Sequence, residues 1–304
     1  MDRQKVLAIV GPTGIGKTSL SVWLAKQLDG EIISCDSMQV YKKMDIGTAK
    51  VTQEEMQGIH HELIDVQNYN EPYNVKVFQE KCRTAIEDVV KRGKFPILCG
   101  GTGLYLKAAL YDYEFQEENE DIAYTTFLNS KTNEELVAML KEKDKKALEK
   151  IHPNNRKRLI RALQICHSGT SKSEQEDKQQ HIPLYDVYFL GLDVNREILH
   201  DRINKRVDIM FENGLVKEVE DLFTNPETWE YTSFQGIGYK EFKDYFLKEK
   251  SIDEVKTAIK THSRQYAKRQ YTWFKNQMPV HWFEAQNRDE IYSAVKEWLM
   301  DEDK

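Results

Sequence analysis

Residues 5–18 read KVLAIVGPTGIGKT, an apolar run followed by a glycine-rich turn that ends in a lysine and a threonine. The run at residues 6–10 predicts a buried strand, and the periodic apolar residues after Lys17 predict a helix over residues 17–28. The turn between them matches the pattern G-x4-G-K-[ST] in full. Because backbone N–H groups and a helix N-terminus converge there, this turn predicts a P-loop that holds a phosphate compound.

Strands and helices continue to alternate after this motif. Residues 31–35 and 95–99 are short apolar runs that predict strands, and residues 75–92 have the periodicity of an amphipathic helix. Such alternation predicts parallel strands with helices on both faces. The expected fold class is therefore α/β, with a P-loop NTPase-like parallel sheet flanked by helices.

The pattern changes in residues 113–182. No β-branched strand run occurs there, whereas residues 134–148 and 156–166 combine helical periodicity with dense charge. We therefore expect an all-helical insertion domain at residues 113–182, within a catalytic core formed by residues 1–112 and 183–304.

A polar, unpatterned stretch at residues 168–180 indicates an exposed, mobile loop. Strand and helix patterns return after it, so both ends of the chain contribute to the core. The predicted elements are a strand at 187–192, helices at 196–212, 216–223 and 252–274, a strand at 280–283 and a final helix.

The composition is that of a folded globular protein, with 40% apolar and 31% charged residues and a formal net charge of −6. This charge argues against a generally basic nucleic-acid binder, so any RNA contact has to come from local clusters of Lys and Arg. The four cysteines are far apart, which argues against a disulfide framework or a zinc finger. No export or membrane signal is visible, so we expect a cytoplasmic protein without a membrane partner. We also expect a monomer.

Most P-loops bind ATP or GTP, which makes a kinase or NTPase the first interpretation. In a typical ATPase an acidic residue at the end of a neighbouring strand holds Mg²⁺, but the strand at residues 95–99 is followed by GGTG at 100–103. The carboxylate instead follows the second strand, as Asp36. These features disfavour ATP hydrolysis and leave open which phosphate compound binds.

Eight blocks of sequence are spread in order along the chain: GPTGIGKT at 11–18, DSMQVYKKMDIGTAK at 36–50, HHELIDV at 60–66, GGTGLYLKAAL at 100–110, HPNNRKRLIRALQI at 152–165, GLVKEVEDL at 214–222, QGIGYKE at 235–241 and RQYAKRQYTWFK at 264–275. Together these blocks resemble one family, the tRNA dimethylallyltransferases, also called tRNA isopentenyltransferases. Zinc-finger extensions of some eukaryotic members are absent, so the chain is similar to the bacterial type.

The resemblance implies a fold, a reaction and two substrates. In that reaction N6 of adenine 37, in the anticodon loop of tRNAs that read codons beginning with U, attacks C1 of dimethylallyl diphosphate. Pyrophosphate leaves, and the tRNA carries N6-dimethylallyladenosine. The family fold is a P-loop-type α/β core with a helical insertion, which agrees with the pattern described above.

Asp36 has two interpretations. An Asp directly after a strand commonly caps the helix that follows. The resemblance instead implies that Asp36 is a general base, which accepts the proton of the adenine amino group as the new bond forms.

The P-loop and the resemblance together define the predicted catalytic and phosphate-binding residues. Lys17 brings a positive charge to the diphosphate, and Thr18 offers its hydroxyl to Mg²⁺, the expected cofactor. Arg206 is expected to help bind the diphosphate, with a solvated helix face as the alternative. The predicted catalytic residues are Asp36, Lys17, Thr18 and Arg206, and the diphosphate-binding residues are Gly11, Thr13, Gly14, Ile15, Gly16, Lys17 and Thr18.

Two segments have features suited to holding tRNA. Cations are dense at residues 156–161, on a predicted helix, which suits phosphate contacts. Residues 235–240 form a loop with two glycines, and the resemblance implies that this loop also contacts tRNA. It further implies that Thr102 lies at the mouth of the channel through which the target nucleotide enters. The predicted tRNA-binding residues are Asp36, Ser37, Met38, Gln39, Thr102, Lys157, Arg158, Arg161, Gln235, Gly236, Gly238, Tyr239 and Lys240.

A second basic series recurs at spacing four on the predicted helix at 252–274. Such a series is usually a solvated helix face, and aromatic residues at helical spacing usually belong to a core. We expect both here. The cations are Lys256, Lys260, Arg264 and Lys268, and the aromatic residues are Tyr266, Tyr271, Trp273 and Phe274.

Three alternatives to the tRNA prenyltransferase remain open. They are a P-loop kinase or NTPase, a noncatalytic RNA-binding module, and a prenyltransferase that acts on free adenine nucleotides. The helical insertion and the cations at residues 156–161 favour a macromolecular acceptor over a free nucleotide.

Overall fold

The computed structural model describes residues 3–115, 121–169, 171–174 and 181–301. Within these residues six strands form one sheet in the order β3-β2-β4-β1-β5-β6, and the paired strands are parallel. The predicted α/β fold class is confirmed. The strands are β1 (Lys5–Val10), β2 (Gly30–Ser34), β3 (His61–Glu62), β4 (Phe95–Gly100), β5 (Asp186–Asp193) and β6 (His281–Glu284).

Helices cover the connections between these strands. Several begin at side chains that cap them; the longest begins with a capping box, in which Ser251 and Glu254 each bond to the other's backbone N–H. The helices are α1 (Lys17–Leu28), α2 (Gln53–Met56), α3 (Val75–Lys91), α4 (Gly103–Leu110), α5 (Ile122–Asn129), α6 (Asn133–Lys143), α7 (Arg156–His167), α8 (Arg196–Glu212), α9 (Leu215–Leu222), α10 (Lys243–Phe246), α11 (Ile252–Gln277) and α12 (Arg288–Met300).

The sheet is buried on both faces, as near-continuous apolar strands predict. In β1, Val6, Ala8 and Val10 belong to one apolar cluster, whereas Leu7 and Ile9 belong to the other. Successive side chains of a strand point to opposite faces, so β1 lies between two cores. Parallel strands end at a common edge, where the loops after β1, β2 and β4 meet and where ligands bind in open α/β sheets.

The chain forms two compact units, Met1–Tyr111 with Pro183–Lys304, and Asp112–Ile182. Asp112 belongs to the second unit, since its carboxylate accepts a hydrogen bond from the Ile182 N–H at 2.7 Å. The described part of that unit contains helices α5 to α7 around a small leucine-rich core.

The prediction of a single helix at residues 134–148 is wrong, because α6 ends at Lys143 and a 3-10 helix follows at Lys145–Glu149. Asp144 lies at the break. Its carboxylate accepts hydrogen bonds from the Ala147 N–H and from the N–H and hydroxyl of Ser173. Aspartate competes for backbone N–H groups in this way and therefore favours helix starts over helix interiors. Residues 170 and 175–180 of the predicted mobile loop lie outside the described residues.

Over the described ranges, no helix combines the length and the apolar character needed to cross a membrane.

Candidate active site

The P-loop turn depends on glycines with positive φ. Gly14 and Gly16 have φ of 78° and 107°, a backbone region that only glycine enters at little cost. Gly16 is also the N-cap of α1 and supplies no side-chain cap to the first N–H groups of the helix. The turn therefore presents backbone N–H groups and a positive helix end to an anion.

Lys17 folds back onto this turn. Its Nζ donates to the carbonyl oxygens of Gly11 at 3.0 Å and Pro12 at 2.8 Å. Burial lowers the pKa of Lys17 to about 8, while Cys99 and Asp36 act in the opposite direction. The ammonium group is therefore poorly solvated, and two backbone carbonyls are its hydrogen-bond acceptors.

Two pockets meet at this edge of the sheet. The narrow pocket, of about 100 Å³, is lined by Thr13, Lys17 and Thr18 together with residues of β2 and β4, the loops that follow these strands, and α8 and α11. The wide pocket, of about 490 Å³, opens beside it and is lined by residues from several distant segments. The residues that line both pockets are Thr13, Asp36, Thr48, Arg206 and Tyr266.

Asp36 lies at this junction, just after β2. Its Oδ1 accepts hydrogen bonds from the N–H groups of Met38 at 2.8 Å and Gln39 at 3.3 Å. Among the described residues nothing donates to its Oδ2. Asp36 therefore caps the turn that follows β2 with one oxygen, and its other oxygen has no donor among the described residues.

Arg206 reaches the same junction from α8. Its guanidinium donates to the Thr13 hydroxyl and to the Ala49 carbonyl, both at 3.3 Å. Burial lowers the pKa of Arg206, and the negative charge of Asp36 opposes that effect. The alternative of a solvated helix face is wrong, because the side chain lines both pockets.

Gln270 joins the loops after β1 and β4, and sequence reasoning missed it. Its Oε1 accepts from the Thr13 N–H and its Nε2 donates to the Gly101 carbonyl, both at 2.9 Å. A Cβ on residue 101 would lie 2.1 Å from that Nε2, so a larger residue there would displace the Gln270 amide. A sequence signal existed, since Gln270 is an amide at helical spacing from the apolar residues Ala267 and Phe274.

Tyr266, one turn before Gln270, was predicted as a core residue and lines both pockets instead. Its hydroxyl interacts with the side chains of Thr102 and Gln270. Burial raises the pKa of Tyr266, and the nearby charge of Asp36 raises it further, so the phenol stays protonated at neutral pH.

Glu218 of α9 holds the loop that forms another wall of the wide pocket. Its carboxylate accepts hydrogen bonds from the N–H groups of Asp45, Ile46 and Gly47 at 2.7 to 3.0 Å. The hydroxyl of Tyr239 donates to the same carboxylate at 2.7 Å. This arrangement fixes the loop before Thr48, and sequence reasoning did not find it.

Two predicted tRNA-binding residues are buried. Tyr239 is 0% exposed and packs under Gly47, so it supports the pocket wall rather than the surface. Gly238 is also buried, has φ of 101°, and would place a Cβ 2.9 Å from the Gly47 carbonyl. Gly47 and Gly238 are therefore both required where their two loops come into contact.

The other predicted residues fall into three groups. Ser37, Met38, Thr102, Gln235, Gly236 and Lys240 line the wide pocket, whereas Gln39 lines the narrow one. Gly11, Gly14, Ile15 and Gly16 form the P-loop turn, with the Ile15 side chain buried in the core. Lys157, Arg158 and Arg161 are exposed on α7 of the second unit.

The basic series on α11 is only partly exposed. Lys256 and Lys260 form ion pairs with Asp208 of α8, at 2.6 and 2.7 Å. Arg264 donates to Asn204 of the same helix. The predicted solvated face is therefore wrong for these three cations, which join two helices, whereas Lys268 is exposed.

Comparison with known proteins gives a consistent result. The IPP transferase family matches residues 39–277. A tRNA dimethylallyltransferase from Bacillus anthracis is 49% identical over 301 residues, covering 97% of this chain and 96% of that protein. One from Bacillus cereus is 48% identical over the same length, covering 97% and 95%.

Solved structures agree. The full-length tRNA isopentenylpyrophosphate transferase from Bacillus halodurans has a TM-score of 0.75 and 41% identity, covering 98% of this chain and 97% of that one. A eukaryotic dimethylallyltransferase acting on tRNA has a TM-score of 0.81 and 32% identity, covering 98% and 78%. With a P-loop, a carboxylate after β2 and full-length similarity of this kind, the chain belongs to the IPP transferase family.

Proposed function

We propose that this chain is a tRNA dimethylallyltransferase, which transfers the dimethylallyl group from dimethylallyl diphosphate to N6 of adenine 37 in the anticodon loop of tRNAs that read codons beginning with U. One observation carries the proposal. A carboxylate with an unused oxygen, that of Asp36, lies where a phosphate-binding pocket opens into a pocket large enough for a nucleobase. Because tRNA is the acceptor, we place the enzyme in the cytoplasm.

The diphosphate of the prenyl donor fits the narrow pocket. P-loop N–H groups surround it, and Lys17 and Arg206 provide positive charge on either side. This arrangement directs C1 of the dimethylallyl group toward the wide pocket, next to Asp36.

Mg²⁺ fits the same pocket, since its described walls offer the hydroxyls of Thr18, Ser21 and Ser34 and the carboxylate of Asp36, which are hard oxygen donors. We propose Thr18 as the protein residue that holds the ion. When bound, Mg²⁺ supplies charge that stabilises the departing diphosphate.

The acceptor base enters through the wide pocket. An adenine in an anticodon loop has to leave its stack first, at a cost of a few kcal/mol. Ser37, Thr102, Gln235 and Lys240 offer polar groups along that pocket, which can offset part of this cost.

The chemical step uses residues at the junction. The N6 lone pair attacks C1, and the electron pair of the C1–O bond leaves with pyrophosphate. The N6 proton passes to the free oxygen of Asp36, which strengthens a nucleophile whose lone pair is delocalised into the ring. Lys17 and Arg206 stabilise the negative charge that develops on the leaving group.

A transfer assay tests the proposal. The protein is incubated with labelled dimethylallyl diphosphate, Mg²⁺ and either unmodified tRNA, AMP or ATP. We expect label on tRNA alone. Transfer to AMP or ATP in place of tRNA would identify the free-nucleotide enzyme, and ATP turnover without any prenyl transfer would overturn the proposal in favour of a kinase or NTPase.

A further inference from the structure

Glu241 is a buried acidic side chain that the proposed reaction does not use. It directly follows the turn at residues 235–240, and most residues of that turn line the wide pocket. Only 2% of the Glu241 side chain is exposed. A buried carboxylate is costly to leave without partners, so the groups that bond to Glu241 show what this residue holds together.

The two oxygens of Glu241 have different partners. Its Oε2 accepts a hydrogen bond from the Gly238 N–H at 2.9 Å, within the turn. Its Oε1 lies 2.7 Å from Nδ1 of His262, which belongs to α11. Because a carboxylate only accepts hydrogen bonds, Nδ1 of His262 carries a proton and is the donor. Glu241 therefore links the turn at residues 235–240 to α11.

His262 begins a row of three side chains on one side of α11. Tyr266 and Gln270 follow it at a spacing of four residues, so the three lie one helical turn apart on the same face. Tyr266 lines the junction of the two pockets, and Gln270 bonds to the loops after β1 and β4. One face of this helix therefore contacts the turn at residues 235–240, the junction and the P-loop in succession.

A separate set of contacts holds the turn to the loop before Thr48. The Tyr239 hydroxyl donates to Glu218 of α9 at 2.7 Å, and Gly238 packs against Gly47. These contacts fix one side of the turn, whereas the bond between Glu241 and His262 fixes its distance from α11. The shape of the wide pocket depends on that distance, because both the turn and α11 contribute to its wall.

We infer that His262 is a positioning residue for the acceptor. Through Glu241 it sets the turn at residues 235–240 relative to Tyr266, and so keeps the wide pocket in the shape that receives the base. The described walls of the two pockets do not include His262, so it acts through Glu241 and not by touching a substrate. The inference rests on the proposed function, since it concerns the pocket assigned to the RNA base.

Two substitutions at position 262 test the inference. His262→Ala removes the donor to Glu241, whereas His262→Asn places an amide N–H close to the position of Nδ1 and restores the bond. Thr257→Ala, at an exposed position of the same helix, is the control. The transfer assay gives kcat, the KM for an anticodon stem-loop RNA and the KM for dimethylallyl diphosphate, and the denaturant midpoint shows whether each variant is folded.

For His262→Ala we expect the KM for RNA to rise about tenfold, as for the loss of a hydrogen bond to a charged group, with kcat and the KM for the prenyl donor unchanged. We expect all three quantities to stay within about twofold of the wild type in His262→Asn and Thr257→Ala. A loss of folded protein alone would lower the apparent kcat and leave both KM values as they are. A selective rise in the KM for RNA therefore separates positioning from a purely structural role.

A wild-type KM for RNA in His262→Ala would overturn the inference, and so would an equal rise in His262→Ala and His262→Asn. In either case, transfer to tRNA by the wild-type protein would still uphold the proposed function. A wild-type protein that does not prenylate RNA would overturn both.

Discussion

The narrow and wide pockets share five wall residues, yet they are built in different ways. The anion-binding groups of the narrow pocket, the P-loop N–H groups and Lys17, belong to one contiguous turn at residues 11–18, although residues as distant as Arg206 and Gln270 complete its wall. The wide pocket combines the loop after β2, the start of α4, one side of α8, the turns at residues 232–240 and part of α11. The anion-binding part of the proposed diphosphate site therefore depends mainly on local sequence, whereas the proposed acceptor site exists only after distant segments have packed together.

The junction between the pockets gives the largest expected effect. Asp36→Asn retains an acceptor for the N–H groups of Met38 and Gln39 but removes the base, so we expect kcat to fall about 1,000-fold. Single-turnover kinetics measure the rate of prenyl transfer, and fluorescence anisotropy measures the affinity for RNA. We expect the RNA affinity to be unchanged. Asp36→Ala should lose about 1 kcal/mol of stability in addition, through the lost cap. Equal loss of RNA binding and transfer in Asp36→Asn would contradict the assignment.

The second prediction concerns charge on the leaving-group side. Arg206→Ala removes a cation from the wall common to both pockets, and we expect kcat to fall about 100-fold. Lys205→Ala, an exposed neighbour on α8, is the control and should retain wild-type turnover. If both variants turn over alike, Arg206 has no part in the reaction.

The third prediction isolates the narrow pocket by pH. The pKa of Lys17 is lowered to about 8, so the ammonium group loses its proton above that pH and attracts the diphosphate less. We expect the Kd for inorganic pyrophosphate, measured by calorimetry, to rise by up to about tenfold per pH unit above about pH 8. Ionisation of the ligand works in the opposite direction, because it adds negative charge as the pH rises. The same titration of Lys17→Ala contains the ligand's ionisation alone, so a wild-type pH profile parallel to that of the variant would show that Lys17 does not bind the diphosphate.

The smallest expected effect concerns Gln270, which joins the loops after β1 and β4. Gln270→Leu leaves the Thr13 N–H and the Gly101 carbonyl without their partner, and we expect a loss of about 2 kcal/mol in the free energy of unfolding. Gln265→Leu makes the same substitution at an exposed position of α11 and should change stability by less than about 0.5 kcal/mol. Equal denaturant midpoints for the two variants would show that the hydrogen bonds of Gln270 to Thr13 and Gly101 do not stabilise the fold.

Residues whose role depends on local sequence were predictable. The P-loop, its flanking strand and helix, and the position of Asp36 after β2 follow from apolar periodicity and from the conformational freedom of glycine. The break at Asp144 was missed, because periodicity continues across it and its partner Ser173 lies far along the chain.

Residues whose role depends on tertiary contacts were not predictable. Glu218 looks like a surface residue of an amphipathic helix, yet it binds three backbone N–H groups of a loop distant in sequence. Tyr239 sits in a motif rich in glycine, which suggested a surface loop, and it is buried because Gly47 leaves room for its ring. Neither environment is visible in the sequence around these residues.

The central claim is that the base reacts at the point where the two pockets meet. It is tested most directly by a crystal structure of the protein with an unreactive thio analogue of dimethylallyl diphosphate and an anticodon stem-loop RNA. We expect the diphosphate against the P-loop and N6 of the flipped adenine about 3 Å from the free oxygen of Asp36. A diphosphate outside the narrow pocket, or an adenine bound away from Asp36, would contradict the claim.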